Sequence, residues 1–198
     1  INYMAKHARG LICLAITQKR ANELHLPLQP KFNSNFDGTA FTISIESKEG
    51  TTTGISAADR AKTIATATDP NKNYRDIKTP GHVFPVIAKD GGCLVRAGHT
   101  EASVDIAKLA GLQPAAVICE IMNDDGTMAR LPDLIPFAKK HGLNIATIAD
   151  LIEYRRKNEQ LIEQVVTSNF NSEWGGEFEL RVYKSTQDNT EHLALIKG

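Results

Sequence analysis

The chain has 198 residues and an apolar fraction of 41%, enough for one packed domain and an appendage. Lysine plus arginine and aspartate plus glutamate balance at 23 each, so no strong net field draws the chain toward nucleic acid or an anionic membrane, and an anionic ligand must be captured locally. No run approaches the roughly 18 apolar residues of a membrane span, no charged-then-apolar leader opens the sequence, and Cys13, Cys93 and Cys119 lack any pairing or metal-type spacing, a set that reads as cytoplasmic with reduced core thiols.

The opening INYMAKHAR places Ile1, Met4, Ala5 and Ala8 on one helical stripe. A helix already under way at a first residue that is not methionine carries the expectation of further sequence upstream. GLICLAIT, between Gly10 and Thr17, is apolar at consecutive positions and predicts a strand buried on both faces. Residues 18–37 read as loop. TAFTISIE, residues 39–46, alternates as a half-covered strand should. Gly50 and Gly54 mark turns before SAADRAKTIATAT, a helix with Ser56 as its cap. HVFPVIA and CLVRAG predict an antiparallel pair of strands reversed at Lys89, Asp90, Gly91 and Gly92.

TEASVDIAKLAG predicts a helix closed by Gly111, and AAVICEIM a central strand followed by a turn at NDDG. LPDLIPFAKKHG predicts a helix with Lys139, Lys140 and His141 at its negative end, LNIATI a strand and ADLIEYRRKN another helix. From residue 159 a short helix-like stretch precedes GEFELRVYKS and EHLALIKG, two strands about the turn TQDNT. The expected fold class is α/β (α+β), a mixed β-sheet with helices packed around it, with a main domain over 1–158 and a linker plus hairpin over 159–198.

Chemistry concentrates in RAGHTE, residues 96–101, where a guanidinium, a glycine, an imidazole and a hydroxyl meet at the start of a predicted helix. Free N–H groups and the positive helix end suit a phosphate, Gly98 allows close approach, Arg96 balances charge, and His99 could coordinate a metal. The plainer reading has Thr100 capping the helix and His99 packing at its end. Glu120, inside the apolar AAVICEIM, reads as a buried carboxylate: a general acid or base, or one half of a buried ion pair. His82 in PGHVFP is a second imidazole, structural if judged alone. Thr51, Thr52, Thr53, Ser56, Asp59 and Arg60 suit a sugar or phosphate; otherwise they are a capped helix with a surface Asp–Arg pair.

GLICLAIT, FTISIE, GTTTGISAADRAKTI, PGHVFP, RAGHTEASVDIAKLAG and CEIMNDDGTMAR, in this order, resemble the dihydroxybutanone phosphate synthase family over residues 1–158. The resemblance implies conversion of ribulose 5-phosphate to 3,4-dihydroxy-2-butanone 4-phosphate and formate in riboflavin biosynthesis, with Mg2+ or Mn2+ as cofactor. It implies that Arg96, Ala97, Gly98, His99, Thr100 and Glu120 bind substrate, that His99 ligates the metal, and that His82 and Glu120 are catalytic. Cys13, Thr53, Ser56 and Asp59 would line the pocket. It further implies a homodimer with shared sites, in which His82 serves the neighbouring subunit.

The family's acidic loop, an Arg-Glu pair followed by Glu-Gly-Asp, precedes the block that opens here and is not in this sequence. With His99 as the single inherited ligand, magnesium would be held weakly and the chain as written is expected to turn over poorly. The tail, FNSEWGGEFELRVYKSTQDNTEHLALIKG, is similar to the opening hairpin of GTP cyclohydrolase II, whose zinc cysteines and catalytic residues would lie beyond Gly198. A second reading is a catalytically inactive domain that binds sugar phosphate or dimerises. A third, an unrelated metal hydrolase using His82, His99 and Glu120, lacks any HExxH-like spacing.

Overall fold

The computed structural model of the protein describes residues 1–30 and 38–197; the part of the 18–37 loop reading that falls on 31–37 lies outside the described residues. A π-helical turn at Met4–Ala8 ends on Arg9 in the left-handed region, and the chain then enters β1, Cys13–Thr17. Five consecutive small or apolar side chains suit a strand covered on both sides. Leu14 and Ile16 enter one core with Ile45, Ala67, Val83 and Ile87, while Cys13 and Ala15 enter another with Val86 and Val104.

Among the described residues, β1 lies inside a four-stranded sheet of order β2-β3-β1-β4, where β2 is Ile45–Ser47, β3 is Ile77–Ala88 and β4 is Ala115–Ile118. β1 runs parallel to β3, with Cys13 opposite Phe84, and antiparallel to β4, with Cys13 opposite Ile118. β2 pairs antiparallel with β3 and bulges between Ile45 and Glu46. This is the mixed sheet that the sequence leads one to expect. α2, Ala57–Thr68, starts at Ser56, whose hydroxyl accepts the Asp59 N–H as the cap reading requires, and it packs Ala67 and Ile64 onto the first core. α3, His99–Leu109, packs Val104 onto the second and closes near Gly111, which has the left-handed φ of +70° expected of it. α4, Leu131–His141, and α5, Ile148–Asn158, fall where their sequences place them.

Several expected elements differ. Residues 18–23 are a short helix, α1 (Gln18–Glu23), because Thr17 accepts the Arg20 N–H and caps it. TAFTISIE is strand only at its end, with isolated bridges at Phe41 and Thr42. CLVRAG forms no hairpin with HVFPVIA: Gly92–Leu94 is a 3₁₀ turn, held because buried Asp105 accepts the Cys93 N–H at 2.7 Å. LNIATI is not a strand, and AAVICEIM is one only through Ile118. The stretch read as helix-like after residue 159 is β5, Ile162–Ser172, which joins β6 (Gly176–Ser185) and β7 (Glu191–Ile196) in a separate antiparallel sheet.

Candidate active site

The RAGHTE segment builds a charged corner around Gly98, which is the extended N-cap residue of α3. Arg96 NH1 donates to Glu101 Oε2 at 2.7 Å, and the other oxygen of Glu101 accepts the Lys89 N–H at 3.0 Å. Glu101 is almost fully buried while Arg96 remains 37% exposed, so an interior acid fixes a guanidinium that still meets solvent. A Cβ on Gly98 would lie 2.5 Å from both Arg96 NH1 and Glu101 Oε2, so any side chain there would displace one end of this ion pair. His99 is exposed in the first turn and Thr100 is buried. Among the described residues no side chain caps α3, so Thr100 does not act as a cap and the first-turn N–H groups match an anion site.

A second cluster surrounds His82. Gly81 brings β3 against β2 so closely that a Cβ there would sit 2.0 Å from the Ile45 carbonyl oxygen, and its N–H donates to Ser44 Oγ at 3.1 Å. His82 Nδ1 then lies 2.9 Å from Glu46 Oε2, with the glutamate side chain 6% exposed. Sequence reasoning named His82 and missed Glu46. The alternation of TAFTISIE puts residue 46 on the polar face, and only the bulge and the overlying Thr52–Gly54 turn bury it.

That turn is held by Asp59, which accepts the Thr52 hydroxyl at 2.8 Å, the Thr52 N–H at 3.1 Å and the Gly54 N–H at 3.0 Å. The Thr52 hydroxyl, the largest cause, and then the backbone N–H groups hold the Asp59 carboxyl below the usual carboxylate range against its burial. Asp59 is therefore a buried organiser and not the outer half of a surface pair with Arg60. Ser56 is spent on the cap, and Thr53 is exposed on the turn.

Glu120 does not lie in a buried strand. It follows the end of β4 and is exposed; its Oε2 accepts the Leu11 N–H at 3.0 Å and its carbonyl accepts the Gly10 N–H at 3.1 Å. The expectation failed because AAVICEIM leaves the sheet at Ile118, before the carboxylate, so burial gives no argument for a role. Cys13 is buried nearby, and burial first, then the Glu120 and Cys119 charges, push its thiol up to about 11. Cys119 is only half-buried.

Among the described residues no hydrogen bond joins Arg96, His99 or Thr100 to His82 or Glu120. Lys89, the anchor of the Glu101–Arg96 pair, follows β3 seven residues after His82, about 23 Å along an extended strand. Among the described residues, too, no three or more His, Cys, Asp or Glu side chains are grouped to hold a metal ion. His99 alone offers one nitrogen, which does not fit a hard cation that prefers oxygen ligands.

The fold and its two acid-held basic groups define a mixed-sheet α/β domain with its polar chemistry split between a helix start and a sheet edge. The chain belongs to the 3,4-dihydroxy-2-butanone 4-phosphate synthase family, whose model matches residues 1–154. It is 54% identical over 198 residues to the 3,4-dihydroxy-2-butanone 4-phosphate synthase of Neisseria meningitidis serogroup B, covering 100% of this chain and 54% of that protein. Among solved structures, RibBX, a two domain 3,4-dihydroxy-2-butanone 4-phosphate synthase from A. baumannii, matches with TM-score 0.90 and 50% identity over 100% of this chain and 58% of that one. A 3,4-dihydroxy-2-butanone 4-phosphate synthase in complex with two magnesium ions matches with TM-score 0.75 and 39% identity over 79% of this chain and 78% of that one. The chain thus spans little more than half the length of the first two relatives.

Proposed function

We propose that this chain carries the synthase reaction: conversion of ribulose 5-phosphate to 3,4-dihydroxy-2-butanone 4-phosphate and formate, the step that feeds riboflavin biosynthesis. The observation that carries the reading is the Glu101-held Arg96 beside the uncapped start of α3, in a chain whose family is shown. The substrate phosphate sits there, countered by the guanidinium and the first-turn N–H groups. Enolisation needs a base at the carbon beside the carbonyl. His82 supplies it through Nε2, the ring nitrogen that does not face Glu46. Glu120, exposed at the end of β4, is the second group for proton movement, with Cys13 beneath it as pocket lining and Thr53, Ser56 and Asp59 forming the neighbouring turn.

The reading includes a divalent cation, as in the related synthase that binds two magnesium ions. Such an ion, when bound, stabilises the negative oxygens of an enediolate. His99 is the imidazole the resemblance assigns to it, but one imidazole is not a magnesium site. Two copies share each site in this reading, Arg96 to Thr100 of one meeting the partner's His82. The roughly 23 Å of strand between His82 and Lys89 within one chain supports that arrangement. The cytoplasm is the proposed location.

Calorimetry on the 198-residue chain tests the anion site: ribulose 5-phosphate is expected to bind, and Arg96→Ala to weaken it about 10- to 100-fold, the worth of one charge-assisted contact. Equal affinity would remove Arg96 from the site. Formate release with magnesium reads the chemistry, and unimpaired release by His82→Ala would exclude that residue as the base.

A further inference from the structure

We propose that Glu46 is a positioning residue for His82: its interior carboxylate fixes the imidazole as the Nδ1–H tautomer, so that Nε2 faces outward as a lone-pair base. This deepens the synthase reading and rests on it only for the identity of the proton donor.

Geometry limits the alternatives. The Glu46 side chain is 6% exposed, and among the described residues only its Oε2 meets a partner, His82 Nδ1 at 2.9 Å. Oε1 is buried with no hydrogen-bond donor among the described residues. It is pressed beneath Gly54, whose φ of +89° and missing side chain permit the approach; a Cβ there would lie 1.8 Å from Oε1. An ionised carboxylate only accepts, so the proton between the two groups belongs to Nδ1. The imidazole is itself 44% exposed, which leaves Nε2 on the open side. A carboxylate behind a histidine selects the tautomer and offsets the charge the ring gains when it takes a proton. The step balances simply: Nε2 accepts the substrate proton, the bond's electron pair stays on the substrate as an enediolate, and the imidazolium charge is met by Glu46.

The sequence carries no sign of this pair, because the residues stand 36 positions apart and meet through the β2–β3 bulge.

Long-range proton–nitrogen correlation spectra of the 15N-labelled 198-residue chain test it directly, at a pH where the ring is neutral. His82 is expected as Nδ1–H; observation of Nε2–H in the wild type overturns the proposal without any variant having to fold. In Glu46→Gln the amide must leave one of its groups in the partnerless place under Gly54, and an orphaned N–H is tolerated there less well than a carbonyl. The amide N–H therefore turns toward His82 and the tautomer inverts to Nε2–H; retention of Nδ1–H overturns the proposal. In turnover, Glu46→Gln is expected to lower kcat about 10²- to 10⁴-fold with KM little changed. An inverted tautomer with unchanged kcat refutes the positioning role. An Nδ1–H wild type that does not bind ribulose 5-phosphate counts against the synthase reading and leaves the pair standing.

Discussion

Arg155 ties three segments of the chain at one point. Its NH1 donates to Asp105 Oδ2 at 2.7 Å and to the Gly91 carbonyl at 2.9 Å, while Nε and NH2 reach the two oxygens of Glu159. With side chains 9% and 3% exposed, Arg155 and Asp105 are a buried pair in which loss of one partner strands the other's charge. Arg155→Ala is expected to cost about 3–5 kcal/mol, a fall in Tm of roughly 6–20 °C for a chain of this size, read by thermal unfolding. In the sequence the residue looks like any basic end of a surface helix, because the acid it meets in the interior, Asp105, lies 50 positions away. Ser56 and Gly111 were legible because a cap and a helix-closing glycine are local rules, whereas Glu46 and Asp105 act through partners no window contains. Cys13 gives a second test. A thiol pushed up to about 11 stays protonated near pH 8, so iodoacetamide at that pH is expected to spare Cys13 in the native chain and to modify it in urea, as read by peptide mass spectrometry. Native labelling at the unfolded rate would contradict its burial.

Turns decide which elements were readable. Gly91 and Gly92, with φ of +84° and +65°, carry the signature of a tight hairpin, yet they lead into a 3₁₀ turn because Asp105 takes the N–H that a returning strand would have spent on β3. Helices α2 to α5 were recovered almost to their ends, since each brings its own cap, charge bias or closing glycine, whereas the six-residue α1 was read as loop. The order of the sheet was not readable, because parallel pairing of β1 with β3 links residues about 70 apart through side chains apolar on both faces. The turn between β2 and α2 is the most constrained of these links. Gly54→Ala combines a left-handed backbone with a clash against Glu46, and is expected to cost about 1–3 kcal/mol, measured as a lower urea midpoint. Stability equal to wild type would mean that the Glu46 carboxylate moves freely.

At the scale of the whole molecule, the two sheets differ in what covers them. Neither hydrophobic core contains a residue from β5, β6 or β7, and Val165, Phe170, Trp174, Leu193 and Leu195 of that region are exposed. A chain ending at residue 160 is therefore expected to unfold cooperatively with a Tm within about 5 °C of the parent, by calorimetry. Loss of the cooperative transition would show that the three-stranded sheet supports the larger one. The larger sheet imposes its own timetable. Its innermost strand, β1, is finished at Thr17, but its antiparallel neighbour β4 leaves the ribosome about 100 residues later, an interval of roughly 5–20 s at usual rates of synthesis. Its parallel neighbour β3 is complete about 70 residues after Thr17, so for most of those seconds the nascent segment CLAIT has neither lateral companion and for the rest only one, which makes the growing chain a natural client for holding chaperones until β4 arrives.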